Sequence, residues 1–363
     1  MIRVGLIGFG LGGRVFHAPL ISSVEGLELA AVFERTANKA AERYPGIVTY
    51  RSLEDLLADS SLDLIVVTTP NGTHFDLARR ILRSGKSVIV DKPMAVTSVE
   101  IAELMALAAE RALLLAPFHN RRWDGDFQTI QRVLREGSLG RLVSLESRMD
   151  RWRPVVPTDR VWKNDSALGG GLLLDLGTHL ADQALVLFGK PEVVSAEVRR
   201  ERDGQGANDS FTVRLRYPGL LHPGLLVTLG ANSLSLPPGP RFHLRGTKGN
   251  YWKQEVDPQE AALNKVTRIE DLAWGHEPAA NWGVLHVGID GGSVSRPIET
   301  VPGDYRLYYA GIRDALLHKA PAPVTAVDAW RVARLLEWAA ESSEQRREIA
   351  CDWSGEPDES QQS

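Results

Sequence analysis

Along the first 117 residues, short apolar runs alternate with amphipathic stretches. Residues 2–8 are apolar and end in glycines, which predicts a buried strand. Residues 11–24 suit a helix, although Pro19 must bend or interrupt it. Residues 27–34 read as a second strand and 37–44 favour helix. Ser52 opens another short helix, with Glu54 and Asp55 in its first turn. Residues 62–68 form the plainest strand, because Leu64 to Val67 is continuously branched and apolar. Residues 73–84 are amphipathic, with Gly85 as the stop. Strands at 87–91 and 113–118 flank a helix capped by Thr97 or Ser98, with Glu100 near its start. A strand–helix alternation of this kind implies a parallel sheet covered on both faces.

Beyond residue 120 the pattern changes. Helical periodicity at 125–135 and 172–188 is followed by strand patterns at 141–149, 191–200, 210–217, 224–232 and 241–246. Turn signals separate them, such as Tyr217-Pro218-Gly219 and the run from Pro237 to Pro240. Consecutive strands with short turns predict a largely antiparallel sheet. Helices at 304–318 and 326–346 close the pattern. Residues 352–363 are polar and aperiodic and read as a frayed tail.

At 363 residues the chain has room for about two domains. It is 43% hydrophobic and 24% charged, ordinary for a globular enzyme. Lys and Arg number 42 against 46 Asp and Glu, a net charge of −4, which leaves no basic surplus for nucleic acid. No apolar run has the length of a membrane span. The one cysteine, Cys351, excludes an internal disulfide and cysteine metal centres. With no leader-like start, the expected compartment is the cytoplasm.

Candidate chemistry begins at Gly8, Gly10 and Gly13, a Gly-x-Gly-x-x-Gly after a strand and before a helix. The first glycine makes the turn, the second admits a pyrophosphate to the backbone, and the third lets helix pack on strand. Glu34 ends the second strand about 20 residues on, where a carboxylate can bind an adenosine ribose. Its charge favours NAD, whereas Arg35 can stack on adenine or pair with a 2′-phosphate and leaves NADP open. The bland alternative is a structural turn with a surface glutamate.

Asp91-Lys92-Pro93 follows another strand, so Lys92 should point into the ligand crevice unless it is merely a solvated lysine. Pro93 fixes the turn and is a candidate cis proline. Thr69, Pro70, Asn71 and His74 follow the strand at 62–68 and can line a cofactor edge, with Thr73 placed to cap the next helix. Asp175 and His179 stand at i and i+4 on an apolar helix, with Asp182 at i+7, which puts all three on one face. A carboxylate beside a histidine suits general acid–base work; a core histidine bonded to aspartate is the alternative. With no cysteine nearby and no third histidine at helical spacing, a metal is not expected.

Taken together, these segments resemble the glucose–fructose oxidoreductase, inositol dehydrogenase and rhizopine-catabolism (Gfo/Idh/MocA) family. The resemblance rests on Gly8-x-Gly10-x-x-Gly13, on Asp91-Lys92-Pro93 in place of the family's commoner Glu-Lys-Pro, and on Asp175-x-Gly177-x-His179. The segments 12–19, 118–124 and 175–183 are similar to the subgroup containing scyllo-inositol 2-dehydrogenases. This implies an α/β protein: an N-terminal Rossmann domain with a doubly wound parallel sheet at 1–119, an α/β domain with an open, mainly antiparallel sheet for substrate and oligomerisation at 120–351, and a tail at 352–363. It implies NAD or NADP as cofactor, a sugar or cyclitol hydroxyl as hydride donor, and Lys92, Asp175 and His179 as catalytic residues, with Lys92 also touching the cofactor.

Asn120, Arg122, Arg153, Trp162 and Lys163 are candidates for the polyol wall, while His119 and Trp123 should pack at the domain junction. The implied partners are a small polyol or sugar and further copies of the chain, as a homodimer or homotetramer, with no nucleic acid and no membrane. Two rivals remain: a glycosidase-type enzyme that holds its NAD, and a non-catalytic dinucleotide-binding regulator.

Overall fold

A computed structural model describes residues 1–156, 161–219, 221–265 and 275–358. The first sheet has six strands: β1 Ile2–Ile7, β2 Leu27–Phe33, β3 Val48–Tyr50, β4 Leu64–Val67, β5 Ser87–Val90 and β6 Leu115–Pro117. Their order is β3-β2-β1-β4-β5-β6, and every pairing is parallel. The order reverses between β1 and β4, so the loops at their carboxyl ends form the crevice where such sheets take ligands. β4 and β5 are buried at every position, as their unbroken apolar runs require.

The second sheet has nine strands: β7 Leu142–Arg148, β8 Val193–Arg199, β9 Ser210–Tyr217, β10 Leu225–Asn232, β11 Phe242–Gly246, β12 Gly249–Lys253, β13 Gly283–Ile289, β14 Gly292–Ile298 and β15 Ile349–Ala350. They lie in the order β14-β13-β12-β11-β7-β10-β9-β8-β15. All pairings are antiparallel except β7 with β10, which run parallel. Five of these strands match the alternation in the sequence. β12, β13 and β14 escaped it because they lie at the sheet's exposed end and carry little apolar period; β14 is exposed at six of its seven positions. The Asp290-Gly291 pair between β13 and β14 is the turn signal that marks them.

Two predicted helices differ in detail. The segment at 11–24 is a π-helical turn, Gly12–His17, followed by an α-helix, Ala18–Ser23. Pro19 falls in the first turn of that α-helix, where its missing N–H costs least. The segment at 172–188 likewise begins as a π-turn, Leu173–Gly177, before the α-helix Thr178–Phe188. The wider stretch Ser166–Phe188 is apolar and long enough to cross a membrane, but it is mostly buried within the fold.

The C-terminal helices join the two halves. The Arg306–His318 helix sends Tyr308, Tyr309 and Ile312 into the core of the first sheet. The Ala326–Gln345 helix, opened by a Thr325–Asp328 capping box, gives Val327, Ala329 and Trp330 to the first half and Val332, Leu335 and Trp338 to the second. The Glu337 carboxylate accepts from the backbone N–H and hydroxyl of Ser98, 2.6 and 2.8 Å away.

The expected frayed tail is docked as far as the described residues reach; 359–363 lie outside them. Trp353 packs edge-on against Trp338, with ring centroids 4.8 Å apart, and its indole N–H donates to Pro191 O at 2.9 Å. Glu356 pairs with Arg331 and Lys190. One aromatic anchor is enough to order a segment whose average composition is polar. Trp353→Ala should lower the thermal transition by several degrees, for a loss of about 2–3 kcal/mol in packing and hydrogen bonding. An unchanged transition in scanning calorimetry would overturn this.

Candidate active site

Residues at the carboxyl ends of β1, β4 and β5 form a nucleotide cradle. Gly8 has φ +97°, and a Cβ on Gly13 would fall 2.2 Å from Gly8 O. Only glycine permits this approach of helix to strand. A Cβ on Gly10 would meet nothing within 4 Å, so that backbone faces open space of the kind a pyrophosphate fills. The residues present therefore fit a dinucleotide.

Glu34 directly follows β2, and one of its oxygens is engaged within the protein. It is buried, and its Oε2 accepts from Ala40 N–H at 3.0 Å. The carboxylate thus serves the first turn of the Lys39–Arg43 helix. Arg51 holds the same loop by donating to Glu34 O at 2.7 Å. Arg14, Arg35 and Lys39 are exposed cations that make no ion pair or side-chain hydrogen bond among the described residues. Arg14 and Lys39 line one open groove of about 1200 Å³, together with Arg43, Glu42 and Glu28; Glu28 is already paired with Arg3.

In the loop after β4, Thr69 is half-buried, its hydroxyl 2.6 Å from that of Thr73, and Pro70 is exposed. Asn71 and His74 are engaged elsewhere, contrary to expectation. Asn71 Nδ2 donates to Gly169 O at 2.8 Å and ties this loop to the second domain. The His74 ring lies between two carbonyl oxygens, Pro93 O at 2.8 Å and Thr69 O at 2.7 Å, and is 1% exposed. It straps the loop to the Lys92–Pro93 corner, whose peptide is cis. Thr73 does not cap the following helix with its side chain; its hydroxyl donates to Pro70 O. Asp91 faces the glycine turn: its Oδ2 lies 2.9 Å from where a Gly12 Cβ would be, and 3.7 Å from the buried His17 ring. That histidine, bonded to the Tyr309 hydroxyl at 2.6 Å, was not foreseen as part of the site.

Lys92 reaches across the junction. Its ammonium donates to Asp175 O at 2.7 Å and to Asp175 Oδ1 at 2.9 Å. Lys163 donates to the same Oδ1 at 3.0 Å. Burial alone would raise the Asp175 carboxyl, but Lys92, Lys163 and Arg151 together hold it well below the usual range. It is therefore a carboxylate at neutral pH.

His179 lies beside this cluster but makes no hydrogen bond to Asp175. A π-turn, Leu173–Gly177, occupies this stretch in place of a regular α-helical turn. Asp182 also leaves the face it was expected to share and takes the Arg122 guanidinium at 2.6 and 3.0 Å. His179 is buried, and its Nδ1 has no partner. Burial, then the charges of Lys92, Arg121 and His119, hold it well below the ordinary histidine range.

The expected polyol wall is only partly assembled. Lys163 joins Asp175, with its ammonium 5.6 Å from the Trp162 ring centroid. Asn120 is buried with no side-chain hydrogen bond among the described residues. Arg153 is exposed. Arg122 is not available, because Asp182 and Asp328 both pair with it. His119 is 2% exposed at the junction, with neither ring nitrogen partnered. Arg151, near Asp175, was missed; its place in the loop just after β7, next to Arg153, was the available signal.

A doubly wound cradle feeding a lysine, a carboxylate and a neutral histidine at a domain junction defines an NAD(P)-binding oxidoreductase of two domains. The NAD-binding Rossmann model of an oxidoreductase family matches residues 2–119, and that family's C-terminal alpha/beta model matches 131–351. The chain belongs to this family, Gfo/Idh/MocA. It is 40% identical over 346 residues to the oxidoreductase YdgJ of Escherichia coli (strain K12), covering 95% of this chain and 97% of that one. It is 34% identical over 351 residues to scyllo-inositol 2-dehydrogenase (NADP(+)) IolW of Bacillus subtilis (strain 168), covering 96% and 95%. The solved structure of the oxidoreductase yvaA from Bacillus subtilis superposes with a TM-score of 0.91 at 33% identity, over 97% of this chain and 98% of that one.

The His179 environment makes a pH prediction. An unfolded histidine protonates near 6.5, and the folded ring only at lower pH. The unfolded state then binds more protons between those values, so this residue subtracts stability as pH falls below 6.5. Histidine ring NMR should show His179 neutral through pH 6.5; a midpoint at or above that value would overturn the assignment.

Proposed function

We propose that the protein is a dehydrogenase of a sugar or cyclitol hydroxyl, with Lys92, Asp175 and His179 as its acid–base centre. The observation that carries this reading is the Lys92 ammonium on the Asp175 carboxylate beside a neutral, unpartnered His179. Bound NAD(P)⁺ supplies the hydride acceptor. Lys92 stabilises negative charge on the substrate oxygen as its proton leaves. His179, with its own proton on the buried Nδ1, accepts that proton at Nε2. Asp175 stays ionised and fixes both lysine ammoniums. The dehydrogenase name of the similar IolW supports a polyol as substrate.

For the cofactor, the NAD preference expected from Glu34 gives way to NADP. The Glu34 carboxylate serves Ala40 N–H, and Arg14, Arg35 and Lys39 are left to take a 2′-phosphate. The similar IolW is NADP-dependent by name. We place this activity in the cytoplasm, in a homo-oligomer.

Lys92→Ala and His179→Ala should each lower kcat about 10²- to 10⁴-fold on a reactive polyol while retaining dinucleotide binding. Near-full kcat in both would sink the mechanism. Arg35→Ala should weaken NADPH binding about tenfold or more in a fluorescence titration and leave NADH nearly unaffected. Equal losses for both dinucleotides would remove the 2′-phosphate role.

A further inference from the structure

A buried chain of polar side chains runs from the C-terminal part of the sequence to the Lys92 corner. It starts at Tyr309, in the Arg306–His318 helix, and passes through His17, the last residue of the π-turn Gly12–His17. Both residues are 0% exposed. The Tyr309 hydroxyl lies 2.6 Å from His17 Nδ1. The other ring nitrogen, Nε2, is buried without a hydrogen-bond partner. It lies 3.7 Å from Asp91 Oδ2, longer than a hydrogen bond but close enough for an electrostatic contact. Phe118 packs on the His17 ring with centroids 4.2 Å apart, and Tyr309 meets that ring edge-on, so the imidazole has little room to turn. The chain continues past Asp91. Its Oδ1 accepts from the Lys92 backbone N–H at 2.7 Å, while its Oδ2 abuts Gly12 in the glycine turn.

Charge decides where the protons of this chain sit. Burial would raise the Asp91 carboxyl, but contact with His17, then the charges of Lys92 and His74, holds it below the usual carboxylate range. Asp91 is therefore an acceptor only. A lone pair on Nε2 would face it with repulsion, and a proton there faces it with attraction. Burial pushes the Tyr309 hydroxyl well above its ordinary range, so it keeps its proton and can donate it to Nδ1. The hydrogen bond at one ring nitrogen sets the tautomer at the other.

We propose that His17 and Tyr309 are positioning residues for Lys92. Tyr309 donates to His17 Nδ1, which places the ring proton on Nε2 toward Asp91, and Asp91 so held fixes the backbone from which Lys92 reaches Asp175. This rests on the dehydrogenase reading above, which needs the Lys92 ammonium at the substrate oxygen. His17 and Tyr309 are wholly buried and act only through Asp91. The Lys92 side chain is held at its far end by Asp175 O and Oδ1, so a displaced base strains or breaks those bonds. A misplacement of about 1 Å in such a group costs up to about 10²-fold in rate.

The test uses the whole protein and begins with nitrogen-15 NMR of the histidine rings. His17 should be neutral with its proton on Nε2. A proton on Nδ1, alone or with one on Nε2, would make Tyr309 the acceptor and overturn the proposal. Tyr309→Phe keeps the ring packing and removes only the hydroxyl. It should move the Lys92 amide resonance and lower kcat on a reactive polyol about tenfold, with KM and dinucleotide affinity held within about twofold. His17→Leu should lose at least as much. His17→Gln, whose amide offers an N–H toward Asp91 without help from Tyr309, should recover most of kcat, and adding Tyr309→Phe to it should cost little more. An unmoved Lys92 amide, a change in KM alone, or equal Tyr309→Phe losses with and without His17→Gln would show a purely structural role and overturn the proposal. If no polyol reduces the cofactor, the dehydrogenase reading fails instead, and the His17 tautomer and the Lys92 amide still decide the positioning chain.

Discussion

The structure depends on one ion pair that crosses from one half of the chain to the other. Lys92 comes from the corner after β5, and Asp175 from the π-turn that begins the core helix of the second half. Both side chains are partly buried, 17% and 23% exposed, so each offsets the cost of burying the other's charge. Such a pair adds little net stability compared with apolar packing. Its value lies in position: it forms only when the two halves dock in one way. Other ties repeat the constraint nearby. Asn71 donates to Gly169 O, Arg122 joins Asp182 and Asp328, and Glu337 receives Ser98.

The same cluster explains how neighbouring groups hold different charges. Asp175 is surrounded by cations and stays ionised. His179, buried and facing Lys92, Arg121 and His119, is held well below the ordinary histidine range and stays neutral. One field therefore sets an acceptor for a proton beside a stabiliser of negative charge.

Much of this was legible in the sequence. The glycine spacing, the buried runs of β4 and β5 and the Lys92-Pro93 corner are local patterns with local causes, and they appeared where the chain predicts them. The central strands β9 and β10 were legible because one face is buried. β14 was not, because this edge strand is exposed at six of its seven positions, and β12 is short, with the charged Lys253 at one of its two buried positions. Nor could spacing foresee the π-turn at Leu173–Gly177, or that Asp175 would bond Lys92 and Lys163. Sequence gives the position of the Glu34 carboxylate and not its partners; one of its oxygens serves the N-terminus of the next helix. Arg122, Asn71 and His74 read as ligand groups for the same reason. Asn71 and His74 are committed to backbone carbonyls and Arg122 to Asp182 and Asp328, pairings that no linear pattern records. Trp353 shows the reverse: one aromatic residue ordered a stretch that average composition assigned to solvent.

The Ala326–Gln345 helix lends alternate turns to two cores, and the Arg306–His318 helix completes the first core from the far end of the chain. The nucleotide-binding half is consequently not a portable module. A chain ending at residue 119 would bare the apolar ground on which Tyr308, Ile312 and Trp330 rest, and would associate through it. Grafting this cradle onto another protein therefore means transplanting the helices Arg306–His318 and Ala326–Gln345 as well, or redesigning the surface they cover.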